Sequence, residues 1–139
     1  MTHRATVLRL RVGARGLDPL VTKLRAAAVL ETASLQPSGL PPAAILCVRT
    51  VRDPRPRTVR LHSVQPFGRQ HLASDWQRAL TARLDDLSRR AARPLVEDVP
   101  AGAEAVVFAD HAELLACLAR DWLRGRVLER WWWTHLVRQ

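Results

Sequence analysis

The sequence predicts a mixed α+β fold in one domain, with the order β-α-β-β-α-β of the split βαβ (ferredoxin-like) arrangement followed by an additional C-terminal helix. Three observations lead there. Short alternating or apolar runs recur near residues 6, 45, 58 and 105, runs with helical spacing lie between and after them, and 139 residues of 47% hydrophobic content suit one core. The chain is accordingly read as a single basic α+β domain over residues 1–139, of which 110–139 form a C-terminal helical extension.

The first strand is expected at Thr6–Val12, where Leu8, Leu10 and Val12 share one face and Val7, Arg9 and Arg11 the other. Asp18 is a suitable N-cap and Pro19 a suitable first helical residue, so a helix follows to about Leu35, with Leu20, Val21, Leu24 and Ala28 on its apolar stripe. Pro37 to Pro42 ends it, and Ala44–Val51 reads as an apolar second strand. The prolines of Asp53-Pro-Arg-Pro56 cannot donate to a ladder and mark a connection into a third strand at Thr58–Val64. A second helix begins at Ser74, with Gln77 completing a capping box and Trp76, Leu80, Leu84 and Leu87 recurring until Pro94. Ala105–Phe108 is a short strand. Asp110 and Glu113 form a second capping box that opens a run through Leu114, Leu115, Leu118, Trp122 and Leu123 towards the C-terminus, with Gly125 as the place to kink or break.

Charge is distributed unevenly. The net charge is +9, and of the 22 basic residues only Lys23 is a lysine, a bias towards arginine that a GC-rich coding sequence also produces. Most of the excess lies in residues 1–60, so the positive field belongs to the first half. No apolar run reaches the roughly 20 residues that span a bilayer, and arginines interrupt the start where a secretory signal would lie, which makes a cytoplasmic location the expectation. Cys47 and Cys117 sit in apolar runs and read as buried free thiols.

Signs of chemistry are sparse. The five histidines offer no pair at metal-ligand spacing and neither cysteine lies near a histidine in sequence, so no metal or cofactor site is assigned. Asp85 and Asp86 diverge by about 100° on a helix, and Asp110 with Glu113 is explained as a cap. With no nucleophile, base or metal assignable, no catalytic residue is named and an enzyme is not expected. Gly13-Ala-Arg-Gly16 lacks the third glycine of a dinucleotide site and the lysine of a P-loop. Arg49, Arg52, Arg55, Arg57 and Arg60, with Arg9 and Arg11, form a candidate phosphate or nucleic-acid face, although residues 1–66 hold no Phe, Tyr or Trp on which a base could stack.

Trp131-Trp132-Trp133 is the most unusual string, because three consecutive helical positions sweep about 200° and cannot all face one core. With Arg126 and Arg130, these tryptophans are the candidate partner-binding residues, since Trp and Arg dominate interface hot spots. The competing reading packs them onto the sheet. Truncation after Leu128 separates the two, sparing the fold in the first case and unfolding it in the second.

Leu40-Pro-Pro-Ala-Ala-Ile-Leu-Cys-Val-Arg49 with Asp53-Pro54, Ala103-Glu-Ala-Val-Val-Phe-Ala-Asp110, Leu114 to Trp122 and the triple Trp together resemble an uncharacterised protein family of high-GC bacteria. That resemblance spans most of the chain. It implies a link to contractile injection systems and an assembly role, implies no activity, and makes the chain an N-terminal region of longer relatives. The expected function is a non-catalytic protein-interaction module in a larger multiprotein assembly, its partner another protein bound through the Trp-bearing helix. A sequence-nonspecific nucleic-acid binder using the arginine face is the alternative.

Overall fold

The computed structural model describes residues 4–13, 16, 18–56 and 74–136. Its elements in order are α1 (Pro19–Thr32), β1 (Ile45–Val48), α2 (Ser74–Arg90), β2 (Ala105–Phe108), α3 (His111–Leu123), a 3-10 turn (Val127–Glu129) and α4 (Trp131–Leu136). The fold is α+β, with β1 and β2 pairing antiparallel so that Ile45 faces Phe108 and Val48 faces Ala105. On the far side of β2, Ala92 makes a single parallel bridge, donating to Ala105 (3.1 Å) and accepting from Val107 (2.9 Å). β2 is therefore flanked on both edges, and Val106 and Phe108 are wholly buried.

Local chemistry explains the helix boundaries. The Asp18 carboxylate accepts from the backbone N–H of Leu20 (2.8 Å) and Val21 (3.2 Å), with Pro19 in the first turn, where no donor is missed. Asp110 likewise accepts from the N–H of Glu113 at 2.8 Å. Neither capping box closes in the reciprocal sense. Glu113 turns its carboxylate to Arg93 (2.8 and 2.6 Å), and Gln77 brackets the backbone of Ser34 instead, accepting from its N–H (3.0 Å) and donating to its carbonyl (2.8 Å). Both side chains thus serve tertiary contacts. Ser38 reinforces the second of these junctions, since its N–H and hydroxyl both donate to Asp85 at 2.7 Å and tie the turn after α1 to α2.

Two groups of buried side chains result. One gathers Phe108 and Val106 of β2, Leu114 and Cys117 of α3, and Trp132 and Trp133 of α4. The other is the α2 stripe of Trp76, Leu80 and Leu84 against Ala33 and Leu35. The buried indole of Trp76 finds a partner by donating to Asp53 at 2.9 Å, which anchors the proline-rich connection.

Two expectations change, and the break foreseen at Gly125 takes a definite form. Residues 6–12 form no strand: Val7, Leu8, Leu10 and Val12 are all exposed, and without a neighbouring ladder to satisfy its backbone an alternating sequence is not a strand. The third strand, at 58–64, lies outside the described residues, so the sheet among the described residues has two strands. The stripe on α1 is also rotated. Thr22, Ala26 and Val29 face inward while Leu20 and Leu24 are exposed, because α1 carries apolar residues on every side and its spacing selects no face. Finally, the C-terminal run is divided at Gly125, whose φ of +67° ends α3 in the left-handed region favoured by glycine.

Candidate functional site

The break at Gly125 lets the chain double back, so that α4 packs its tryptophans against the helix that precedes them. Trp132 and Trp133 are fully buried, and Trp133 lies 5.5 Å from the Phe108 ring. Trp131 stands edge-on to Trp132 at 5.6 Å, Trp132 and Trp133 are 6.4 Å apart, and Trp131 is half-buried with its indole N–H donating to the Ala103 carbonyl at 2.9 Å. The burial problem posed by three adjacent rings is solved by keeping α4 to six residues and wedging it between β2 and α3. These side chains belong to the core. Trp132 and Trp133, expected at a partner interface, have no surface to present.

Arg130 is placed inside as well. Its guanidinium donates to the Val99 carbonyl (2.9 Å) and to Asp98 (3.2 Å), lies 3.3 Å from Asp121 and stacks 5.2 Å from the Trp132 ring centre. Asp121 is 1% exposed and also accepts from the Trp133 indole N–H at 2.8 Å. One buried carboxylate thus joins α3 to α4 through a charged and a neutral donor. In such a network every removed partner strands another group in low dielectric.

What remains accessible lies on the outer side of α3. At about 100° per residue, Leu114, Cys117 and Asp121 point to the core, while Leu115, Ala119, Trp122 and Leu123 share the opposite face. Leu115 is 58% exposed, Trp122 70% and Leu123 86%, and beyond the Gly125 turn Leu128 is 86% exposed. The sequence contained the signal: an apolar run through both Leu114 and Leu115 wraps the whole helix, and only one side can meet the sheet.

Round the helix from this stripe, an open cleft of about 380 Å3 runs between the 95–98 loop and the C-terminal end of α3. Four arginines line it, Arg120, Arg124, Arg126 and Arg130, against the carboxylates of Glu97 and Asp98. Arg120 donates to the Pro94 carbonyl at 2.8 Å, while its Nε is buried without a hydrogen-bond partner. Arg126 lies 3.7 Å from Asp98, which is itself 84% exposed. Arg126 and Arg130 were singled out in sequence; Arg120 and Arg124 were not, because they join the others only after the chain turns at Gly125.

The first-half arginines stand elsewhere. Arg9, Arg11, Arg49, Arg52 and Arg55 are exposed, and among the described residues none of them forms an ion pair with a carboxylate. Arg57 and Arg60 lie outside the described residues. In the second half most arginines are paired, with Arg78 on Asp75, Arg83 and Arg90 on Asp86 and Arg93 on Glu113.

Neither thiol is poised for attack. Burial pushes the Cys47 thiol up to about 11, and burial also raises Cys117. Among the described residues no cluster of His, Cys, Asp and Glu has the arrangement of a metal site, and no helix is long and apolar enough to cross a membrane. Comparison with protein-family models, curated proteins and solved structures gives no match.

Proposed function

We propose that the protein is a non-catalytic protein-interaction module of a larger assembly, and that it binds its protein partner through the outer face of α3. The observation that carries this reading is the exposure of Leu115, Trp122 and Leu123 on a helix whose other side is locked into the core. Contiguous exposed apolar surface on a rigid element marks interaction sites, and an exposed Trp is among the residues that dominate binding hot spots. The partner-binding role first assigned to the Trp131–Trp133 string passes to Trp122 and its neighbours, while the buried string holds α3 in place.

Capture of partners from the native cells, with and without nuclease and at low and high salt, tests this. A discrete protein that survives nuclease and high salt, and is lost with Leu115→Glu and Leu123→Glu, is the expected result; both positions are exposed, so the substitutions leave the fold intact. Retention of the same protein by both variants would remove α3 from consideration.

A second reading has an observation of its own. The unpaired arginines at 9, 11, 49, 52 and 55 leave a positive field that nothing described within the chain neutralises, which suits a phosphate backbone bound without sequence preference. Recovery of nucleic acid alone, lost at high salt and with Arg49→Glu and Arg52→Glu, would favour it over the first.

A further inference from the structure

We propose that the outer face of α3 is closed by the same face of a second copy of this chain, the two helices packing antiparallel about a two-fold axis beside Ala119. The pairing rests on the interaction-module reading above and names the occupant of its face.

The composition of the face is the first observation. At about 100° per residue, Ala112, Leu115, Ala116, Ala119, Trp122 and Leu123 are the residues of α3 that fill one arc of about 120°, and all six are exposed. None is charged, in a chain of which 25% of residues carry a charge. Two copies at a net charge of +9 repel each other over most of their surface and meet most easily where charge is absent.

The face also fits its own reverse. Ala119 lies at its centre, where a methyl group lets a second helix come close. Turning one helix end for end about that point brings residues equally far from 119 level with one another. Trp122 of one copy then lies over Leu115 of the other, and Leu123 over Ala112 and Ala116, so the bulky side chains at one end of the arc meet the smaller ones at the other. The two-fold makes every such contact twice, the closure that most symmetric oligomers use.

Charge at the helix ends sets the direction. Arg120 and Arg124, with Arg126 just beyond, lie at the C-terminal end of α3, whereas the N-terminal end holds Asp110 and a Glu113 already paired with Arg93. A parallel pair would bring the two basic ends together. The antiparallel pair holds them about 20 Å apart, the length of 13 helical residues, and opposes the helix dipoles. The area is sufficient: at about 200 Å2 for a whole large side chain, the exposed parts of Leu115, Trp122 and Leu123 with the three alanines offer about 500 Å2 per copy. Two copies then bury about 1,000 Å2, the lower end for specific association, so the dimer forms in the micromolar range and exchanges readily.

Sedimentation velocity on the full chain across a concentration series is the first test, and a reversible monomer–dimer equilibrium is expected. Added salt should leave association unchanged or strengthen it, because it screens the repulsion between copies and spares apolar burial. Leu115→Glu with Leu123→Glu raises the concentration of half-association about 100-fold or more, since it brings four carboxylates into one contact. Both positions are exposed, and an unchanged thermal midpoint under dilute conditions verifies the fold. The second test fixes the register. Ala119→Cys, next to its own copy at the two-fold, should give a disulfide-linked dimer on mild oxidation, while Arg78→Cys on α2 and the parent, with its two native thiols, should not. A chain that stays monomeric throughout, a dimer indifferent to the glutamate pair, equal cross-linking at 119 and 78, or binding to phosphatidylglycerol vesicles by a chain that never dimerises overturns the proposal. Failure here is distinguishable from failure of the module itself. A monomeric chain that captures a different protein from cells, and loses it with Leu115→Glu and Leu123→Glu, keeps the module and removes the second copy; a monomeric chain whose capture ignores both substitutions removes both.

Discussion

Asp121 shows how much a single buried residue can organise. It is held by the Trp133 indole and lies against two arginines, so converting it to alanine leaves the Arg130 guanidinium buried beside an empty site. Loss of about 3–5 kcal/mol of stability is expected for Asp121→Ala in chemical denaturation. Asn, which keeps an acceptor for Trp133, should cost less. The Glu113 carboxylate behaves differently, since its partner Arg93 is partly exposed. Hydrogen bonds from Arg93 hold Glu113 below the ordinary glutamate range. Because its folded value is depressed, the stability it contributes is complete above the ordinary glutamate value of about 4.3 and is lost as pH falls below that through the folded value. Denaturation midpoints across this range should fall less steeply for Glu113→Gln than for the parent, with Asp85 and Asp86, lowered by Ser38 and Arg90 respectively, accounting for part of the remaining slope. The thiols give a third expectation at this scale. Cys47 and Cys117 should react with iodoacetamide in the folded protein far more slowly than a free cysteine, and at the ordinary rate in denaturant.

Among the elements, those with local instructions were legible in the sequence. Asp18 with Pro19, and Asp110 ahead of an apolar run, define helix starts through donors only two or three residues away, and the structure has both helices. The strands at 45–48 and 105–108 were legible too, as short apolar runs, the first half-buried and the second largely buried. The alternation at 6–12 misled because a strand depends on a partner whose presence no local pattern encodes, and the α1 stripe misled because Leu20 and Thr22 compete for the core on geometry alone. Gly125 was legible as a break but not in its effect, which is to return α4 against α3. Its substitution isolates that effect: a Cβ there meets nothing within 4 Å, so Gly125→Ala should cost only the conformational penalty of the left-handed region, about 1–2 kcal/mol in thermal or urea unfolding. Gly125→Asn should cost less.

For the whole molecule, the candidate site was half legible. Arg126 and Arg130 were identified from their place beside the tryptophans, but the tryptophans themselves were assigned outward and are inward, because a six-residue helix wedged between β2 and α3 can bury rings that a long surface helix could not. It follows that truncation after Leu128 removes Arg130, Trp132 and Trp133 from the centre and should abolish cooperative unfolding altogether, as read by denaturation followed by circular dichroism. Partner binding then cannot be separated from folding by cutting the chain, and point substitutions on the outer face of α3 are the instrument that can separate them. The triple tryptophan has a further consequence. Indoles with ring centres 5.6 and 6.4 Å apart, crossing at 90° and 59°, are close enough for their electronic transitions to couple, which is expected to appear as circular-dichroism bands of opposite sign. That optical signature exists only while the three rings keep their mutual angles, so the closing turn of this fold carries an intrinsic chromophore assembly that reports its own docking without any label.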